Sequence, residues 1–251
     1  MTATTDLAST YLEARERDWN AFSTSSATLP DYWDWWKAYS ASWKVPIQFL
    51  QPLGAEFTKE LAPLAELLET LGKLDEVVVA PVEWAHLTYL HVGFLRPTDV
   101  LWSQVEAFYV NAAPRIRRVE PFPVRLGGLS VSEDGQIYVG VDDGGNYREL
   151  RRQIRLGVPF ISQKMKDDPL VTADGDNFIP QLPIAFTTGT GDRARLIEAL
   201  EPHREIDLGE FTPPKMKLAR LPIQPHDHYG AIDVVAEIQL LGADHRKGYH
   251  N

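Results

Sequence analysis

Two residues on one short stretch have the types and spacing for proton transfer beside a phosphate. In Trp84-Ala85-His86-Leu87-Thr88-Tyr89-Leu90-His91-Val92-Gly93, residues that favour β structure dominate, Pro81 precedes and Gly93 closes the run. That composition predicts a buried strand. Strict alternation would put His86, Thr88, Leu90 and Val92 on one face and Leu87, Tyr89 and His91 on the other. An imidazole can move a proton near neutral pH, and a hydroxyl two residues on can donate a hydrogen bond to an oxygen. His91, on the opposite face, reads as a hydrogen-bonded core histidine.

Other polar clusters are weaker. Arg125, on a predicted strand, could contact an anion or make an ordinary salt bridge. Asp142-Asp143-Gly144-Gly145 lacks the alternating oxygens and terminal Glu of a calcium loop and reads as a turn. Neither Gly127-Gly128 nor Thr187-Thr188-Gly189-Thr190-Gly191 precedes a helix in a phosphate-loop pattern, and the Lys of such a loop is missing. The pair His226 and His228 suits a metal but has no evident third ligand, so no metal or cofactor is expected.

Elements that would position these groups follow from periodicity. Leu7 to Phe22 has helical spacing with alternating charge. A second helix is expected after Leu29-Pro30-Asp31, where Tyr32, Trp35, Trp36, Tyr39 and Trp43 would form one aromatic side. That side could pack on the body, or Trp35 and Trp36 could form a lid that stacks on a flat ligand. Strands are expected at Val45–Leu50, Glu76–Val79 and Trp84–Val92, with helices over Gly54–Leu71 and Thr98–Asn111; Pro63 would kink the first of these. Phe122–Leu129 and Gln136–Val141 read as a hairpin, Tyr147–Leu156 as a helix with a solvated basic side, and Ile179–Thr187 as a strand. A loop and helix (Gly189–Leu200) and a closing strand pair (Phe211–Leu221, Ala231–Leu241) complete the order. Residues 242–251 are polar and expected to fray.

Composition narrows the class of ligand. The 251 residues are 44% hydrophobic and 24% charged, as in ordinary globular domains. No apolar run is long enough for a membrane span, and the first residues lack the pattern of a secretory signal. With no cysteine, thiol chemistry is excluded and a cytoplasmic location is expected. A net charge of −10 disfavours binding to long nucleic acid, which needs a basic face, but leaves room for a small phosphorylated molecule.

His86-Leu87-Thr88 with the following Gly93 resembles the first signature of the two-histidine phosphoesterase superfamily, the group of 2′-5′ RNA ligase-like proteins and cyclic phosphodiesterases. Its members carry a second His-x-Thr or His-x-Ser strand. The matching frame here is Pro180-Gln181-Leu182-Pro183-Ile184-Ala185, in which Gln181 and Pro183 replace the His and the Thr. The resemblance implies an α+β fold with two pseudo-symmetric lobes, each an antiparallel sheet backed by helices, around a central cleft. Residues 45–241 would form that domain, with 1–44 as a helical extension. The resemblance also implies that His86 carries a proton, that Thr88 and Gln181 hold phosphate oxygens, and that the loop Gln224–Tyr229 lies near the cleft. There His226 or His228 could add an imidazole, with Asp227 orienting it, and His228 and Tyr229 become candidate substrate contacts. The expected function is acid–base chemistry on a small phosphate ester or cyclic nucleotide-like compound. The alternative is a diverged member that uses the cleft for metabolite binding or a different acid–base reaction. The oligomeric state is left open.

Overall fold

A computed structural model describes residues 4–34, 45–54, 56–95, 102–142, 145–158, 178–221, 229 and 231–249. The order is α1 (Thr4–Thr24), β1 (Val45–Pro52), α2 (Leu64–Leu71), β2 (Val77–Val79), a 3-10 turn (Val82–Trp84), β3 (His86–Leu95), α3 (Trp102–Ile116), β4 (Val124–Val131), β5 (Gln136–Asp142), α4 (Asn146–Gly157), β6 (Gln181–Thr187), α5 (Arg193–Leu200), β7 (Asp207–Phe211), β8 (Lys215–Arg220), β9 (Asp233–Gln239) and a closing 3-10 segment (Gly242–Tyr249). The strands form two antiparallel sheets, one ordered β3-β1-β8-β9 and the other β2-β6-β5-β4-β7. The fold is α+β, as expected. β3 and β6, which bear the intact and the altered signature, belong to different sheets and lie against each other.

Each sheet buries one face in a shared apolar core. Ile47, Phe49, Leu87, Leu90, Met216, Leu218 and Ile238 enter it from the first sheet, and Leu129, Ile137, Val139 and Leu182 from the second. Helices supply the other side: Leu64, Leu67 and Leu71 of α2, Leu150 and Ile154 of α4, and Leu196 and Leu200 of α5 are buried.

The expected helix over Gly54–Leu71 is shorter than its periodicity suggested. Residues 58–63 are turns and α2 begins after Pro63. A residue without an N–H suits a helix start, not its interior. The strand Asp207–Phe211 was missed, because DLGEF carries little alternation. The expected fraying is also corrected where the tail begins: Leu241 N–H donates to Arg117 C=O at 3.0 Å, Gly242 N–H to Val119 C=O at 3.1 Å, and Ala243 N–H to Glu120 Oε1 at 2.7 Å.

Candidate functional site

The site begins with a defect in β3. Pro52, Gln51 and Leu50 of β1 oppose His86, Leu87 and Thr88, but Phe49 opposes Leu90 and Gln48 opposes His91. Tyr89 is therefore an extra residue on β3, and Val92 is a second one before Gly93. A bulge shifts the side-chain parity of everything beyond it. Residues directly opposite share a face, and Pro52, Leu50 and Gln48 lie on one face of β1. His86, Thr88 and His91 thus stand on one face, while Leu90 turns to the core with Phe49. This corrects the expectation that His91 looks away from His86. A signal was present: the adjacent apolar pair Tyr89-Leu90 interrupts the alternation.

His86 is held tightly. The 3-10 turn before β3 presents the Trp84 carbonyl to its Nδ1 at 2.7 Å. A carbonyl only accepts, so Nδ1 carries the proton and Nε2 is the basic nitrogen. The Trp84 ring meets the imidazole edge-on, with centroids 4.4 Å apart. The histidine is only 2% exposed, and this burial pulls its titration down to about 4 despite the bond to Trp84. It is therefore neutral at pH 7 and does not titrate near neutrality as its residue type suggests. Thr88 is half-buried beside it, and its Oγ1 donates to Gln48 Oε1 at 2.6 Å. His91 is half-buried, yet its Nδ1 is out of reach of solvent and has no partner among the described residues. Burial, then the charges of Arg151 and His86, hold His91 neutral down to about pH 3.

The outer edge of β3 is covered by α4. Tyr147 OH donates to the Thr88 carbonyl and Arg151 Nη1 to the Tyr89 carbonyl, which satisfies backbone acceptors that an edge strand leaves open. Arg151 is 5% exposed and its guanidinium sits 3.8 Å over the Phe178 ring. The basic side of this helix is therefore not uniformly solvated.

The opposite wall is different. Register places Gln181, Pro183, Phe186, Gln136, Gly140 and Tyr138 on one face of the second sheet. Gln181 Oε1 accepts from Gln136 Nε2 at 2.6 Å. Helix α1 packs on β4 and β5. On that face Arg15 Nη1 donates to Gly127 C=O at 2.7 Å, Ser130 Oγ to Arg15 C=O at 2.8 Å, and Tyr138 OH to Asp18 Oδ2 at 2.8 Å. Gly128 adopts φ 70°, and a Cβ there would collide with the Arg15 guanidinium. The segment after α1 continues along β6: Thr187 Oγ1 donates to Pro30 C=O at 2.7 Å, and Asp31 bridges Thr188.

The two faces converge on one aromatic cluster. Tyr32, Trp33, Leu50, Trp84, Phe186, Ala219 and Leu221 are buried together, with Tyr229 packed against them. Trp33 and Phe186 have ring centroids 5.4 Å apart, and Trp84 and Tyr229 4.8 Å. Sequence reasoning named the tryptophan-rich segment but missed Trp33, which carries this contact. Trp35, Trp36, His226, Asp227 and His228 lie outside the described residues. Arg125 shares the sheet face of Gln181 but lies on β4, two strands from β6, where it pairs with Asp207 at an exposed position. Gln48 was also missed; a lone Gln in an apolar strand was the available signal. Among the described residues no group of three or more His, Asp or Glu could hold a metal ion, and no helix is long and apolar enough to cross a membrane.

A family model described as the 2′-5′ RNA ligase superfamily matches residues 60–222, more than half of the chain. No curated protein sequence matches. Among solved structures, TT0787 of Thermus thermophilus is similar at 18% identity with a TM-score of 0.59, over 79% of this chain and 98% of that one. E. coli LigT complexed with 3′-AMP is similar at 12% identity with a TM-score of 0.53, over 78% and 98%. At these identities the likeness concerns the fold.

Proposed function

The chain belongs to the 2′-5′ RNA ligase superfamily, and from that premise we propose that it acts by acid–base chemistry on a small phosphate ester or cyclic nucleotide-like substrate. The observation that carries this reading is the locked tautomer of His86. With Nδ1–H tied to the Trp84 carbonyl, Nε2 is left as a base next to the Thr88 hydroxyl on the same sheet face. Thr88 would hold a phosphate oxygen by turning its one hydroxyl proton from Gln48 to the ligand. Gln181 would add its amide N–H groups, since its oxygen is engaged by Gln136. An anion beside the buried ring would favour the imidazolium and draw its titration back toward neutrality. A small ligand fits better than a polynucleotide, because α1 covers part of the second wall and the net charge is −10. LigT has been crystallised with 3′-AMP, a ligand of this size. We place the protein in the cytoplasm on its lack of cysteine.

The test is turnover of 2′,3′-cyclic AMP by the wild type and by His86→Ala. A working base contributes roughly 10²–10⁴ in rate, so kcat is expected to fall by two decades or more. Turnover indifferent to the substitution would sink the reading. The 2% exposure of His86 favours one other reading, a cleft that binds a metabolite without turning it over. Its signature would be a compound that co-purifies with the protein and is released chemically unchanged.

A further inference from the structure

We propose that His91 supplies the second imidazole of this site, in place of the histidine absent at Gln181. The inference rests on the phosphoesterase reading above and assigns a residue that the family signature does not include. Its foundation is the register of β3. The bulge at Tyr89 sets His86, Thr88 and His91 in a row on one face, opposite Pro52, Leu50 and Gln48. The three β1 positions span four residues, about 13 Å of extended strand. The two histidines mark the ends of that row, and a phosphoryl group bound over Thr88 would lie between them. The hydroxyl of Thr88 stands in the middle of the row and is already oriented by Gln48.

Two further observations agree. The rings are close enough that the charge of His86 bears on the proton of His91. The Nδ1 of His91 is buried with no hydrogen-bond partner among the described residues. Buried polar atoms nearly always find partners, so an unsatisfied one beside a candidate base marks a position where something else completes the bond. Arg151, fixed to the Tyr89 carbonyl, adds positive charge next to this ring. The local field therefore draws in an anion, and the charge of a bound phosphate offsets that of Arg151 so that His91 can take up its proton.

The step balances without another reagent. A water molecule gives one proton to Nε2 of His86 as its oxygen bonds to phosphorus. The phosphorus–oxygen bond to the leaving group breaks, and the electron pair on that oxygen takes a proton from His91, which the phosphate anion has favoured in its protonated form. His86 ends with one proton more and His91 with one fewer, and exchange with solvent restores both. The bond between water oxygen and phosphorus replaces the one that is lost, so no oxidant or reductant enters.

The experiment uses the full chain. Ring-nitrogen NMR of the wild type during titration with inorganic phosphate should move the His86 and His91 resonances together. Movement of His86 with His91 unchanged overturns the inference and keeps the phosphoesterase reading, whereas movement of neither overturns both. In parallel, His91→Gln should lower kcat on 2′,3′-cyclic AMP by at least about a hundredfold with KM within a few-fold, the ordinary loss of one proton-transfer group. It should also remove one limb of the pH profile. If His91→Gln retains kcat within threefold while His86→Ala is inactive, the second imidazole lies elsewhere.

Discussion

The two signature strands have parted ways. On β3 the polar side chains remain poised: His86 has a fixed tautomer, Thr88 an oriented hydroxyl, and His91 an unsatisfied nitrogen. On β6 most of the equivalent face is a packing surface, and only Gln181 and Pro183 stay half-buried there. Gln181 is bonded to Gln136, Phe186 is buried among aromatic rings, and α1 is pinned along the neighbouring strands. The two walls thus differ: one keeps polar groups in a row on its face, and the other is used largely for packing. The chain ahead of β1 occupies part of the second wall.

The sharpest way to break this contrast is to exchange the roles of the walls. His86→Ala should cost two to four decades in kcat, whereas Gln181→Ala should change kcat/KM by no more than about tenfold, the scale of one lost hydrogen bond. Restoring the second signature with Gln181→His plus Pro183→Thr should raise kcat by less than about threefold, because Phe186 on the same face is packed among aromatic rings and α1 lies over the neighbouring strands. A gain of two decades would show that both walls still face the same open cleft.

Removing the packing on the second wall should act on stability instead. Trp33 is 3% exposed, and truncating a buried tryptophan to alanine costs about 3–5 kcal/mol. Urea unfolding of Trp33→Ala should register this as a lower midpoint. An unchanged midpoint would mean that the aromatic cluster contributes little and that the extension is loosely seated.

Stability should also depend on pH through the first wall. Burial lowers His86 from its ordinary 6.5 to about 4. Between those values the unfolded chain binds a proton that the folded chain refuses. The stability is therefore complete above about pH 6.5 and declines as the pH falls to about 4, by about 3 kcal/mol from this group. His91 extends the decline toward pH 3. Denaturant midpoints measured across this range should fall with acidity in the wild type and fall less in His86→Gln. Equal slopes would place the proton uptake elsewhere.

How much of this was legible in the sequence depended on which physical signal was local. The His86–Thr88 pair, the frame around Gln181 and most strands were readable, because alternation and turn residues act over a few positions. The position of His91 was not, since one extra residue at Tyr89 inverts every later side chain and its cause is the pairing with β1. The burial of His86 was also hidden. It comes from Trp84 and the aromatic cluster, whose members Trp33, Phe186 and Tyr229 are far apart in the chain. Arg151 looked solvated by helical period, and only tertiary contact with β3 reveals its role.

The smallest expected effect tests whether the second wall is packing alone. Tyr138 stands on the face of Gln181, and its hydroxyl donates to Asp18 of α1 at 2.8 Å. Burial, then the Asp18 carboxylate, pushes its titration far upward, so it remains a donor at any working pH. Tyr138→Phe removes that bond and leaves the ring. A hydrogen bond to a charged acceptor is worth about 1.5–3 kcal/mol, and Asp18 can turn to water once released, so the loss should be about 1–2 kcal/mol. If the wall no longer touches substrate, kcat and KM on 2′,3′-cyclic AMP should stay within twofold. A rise in KM without a loss of stability would instead mean that α1 and β5 still form part of the binding surface.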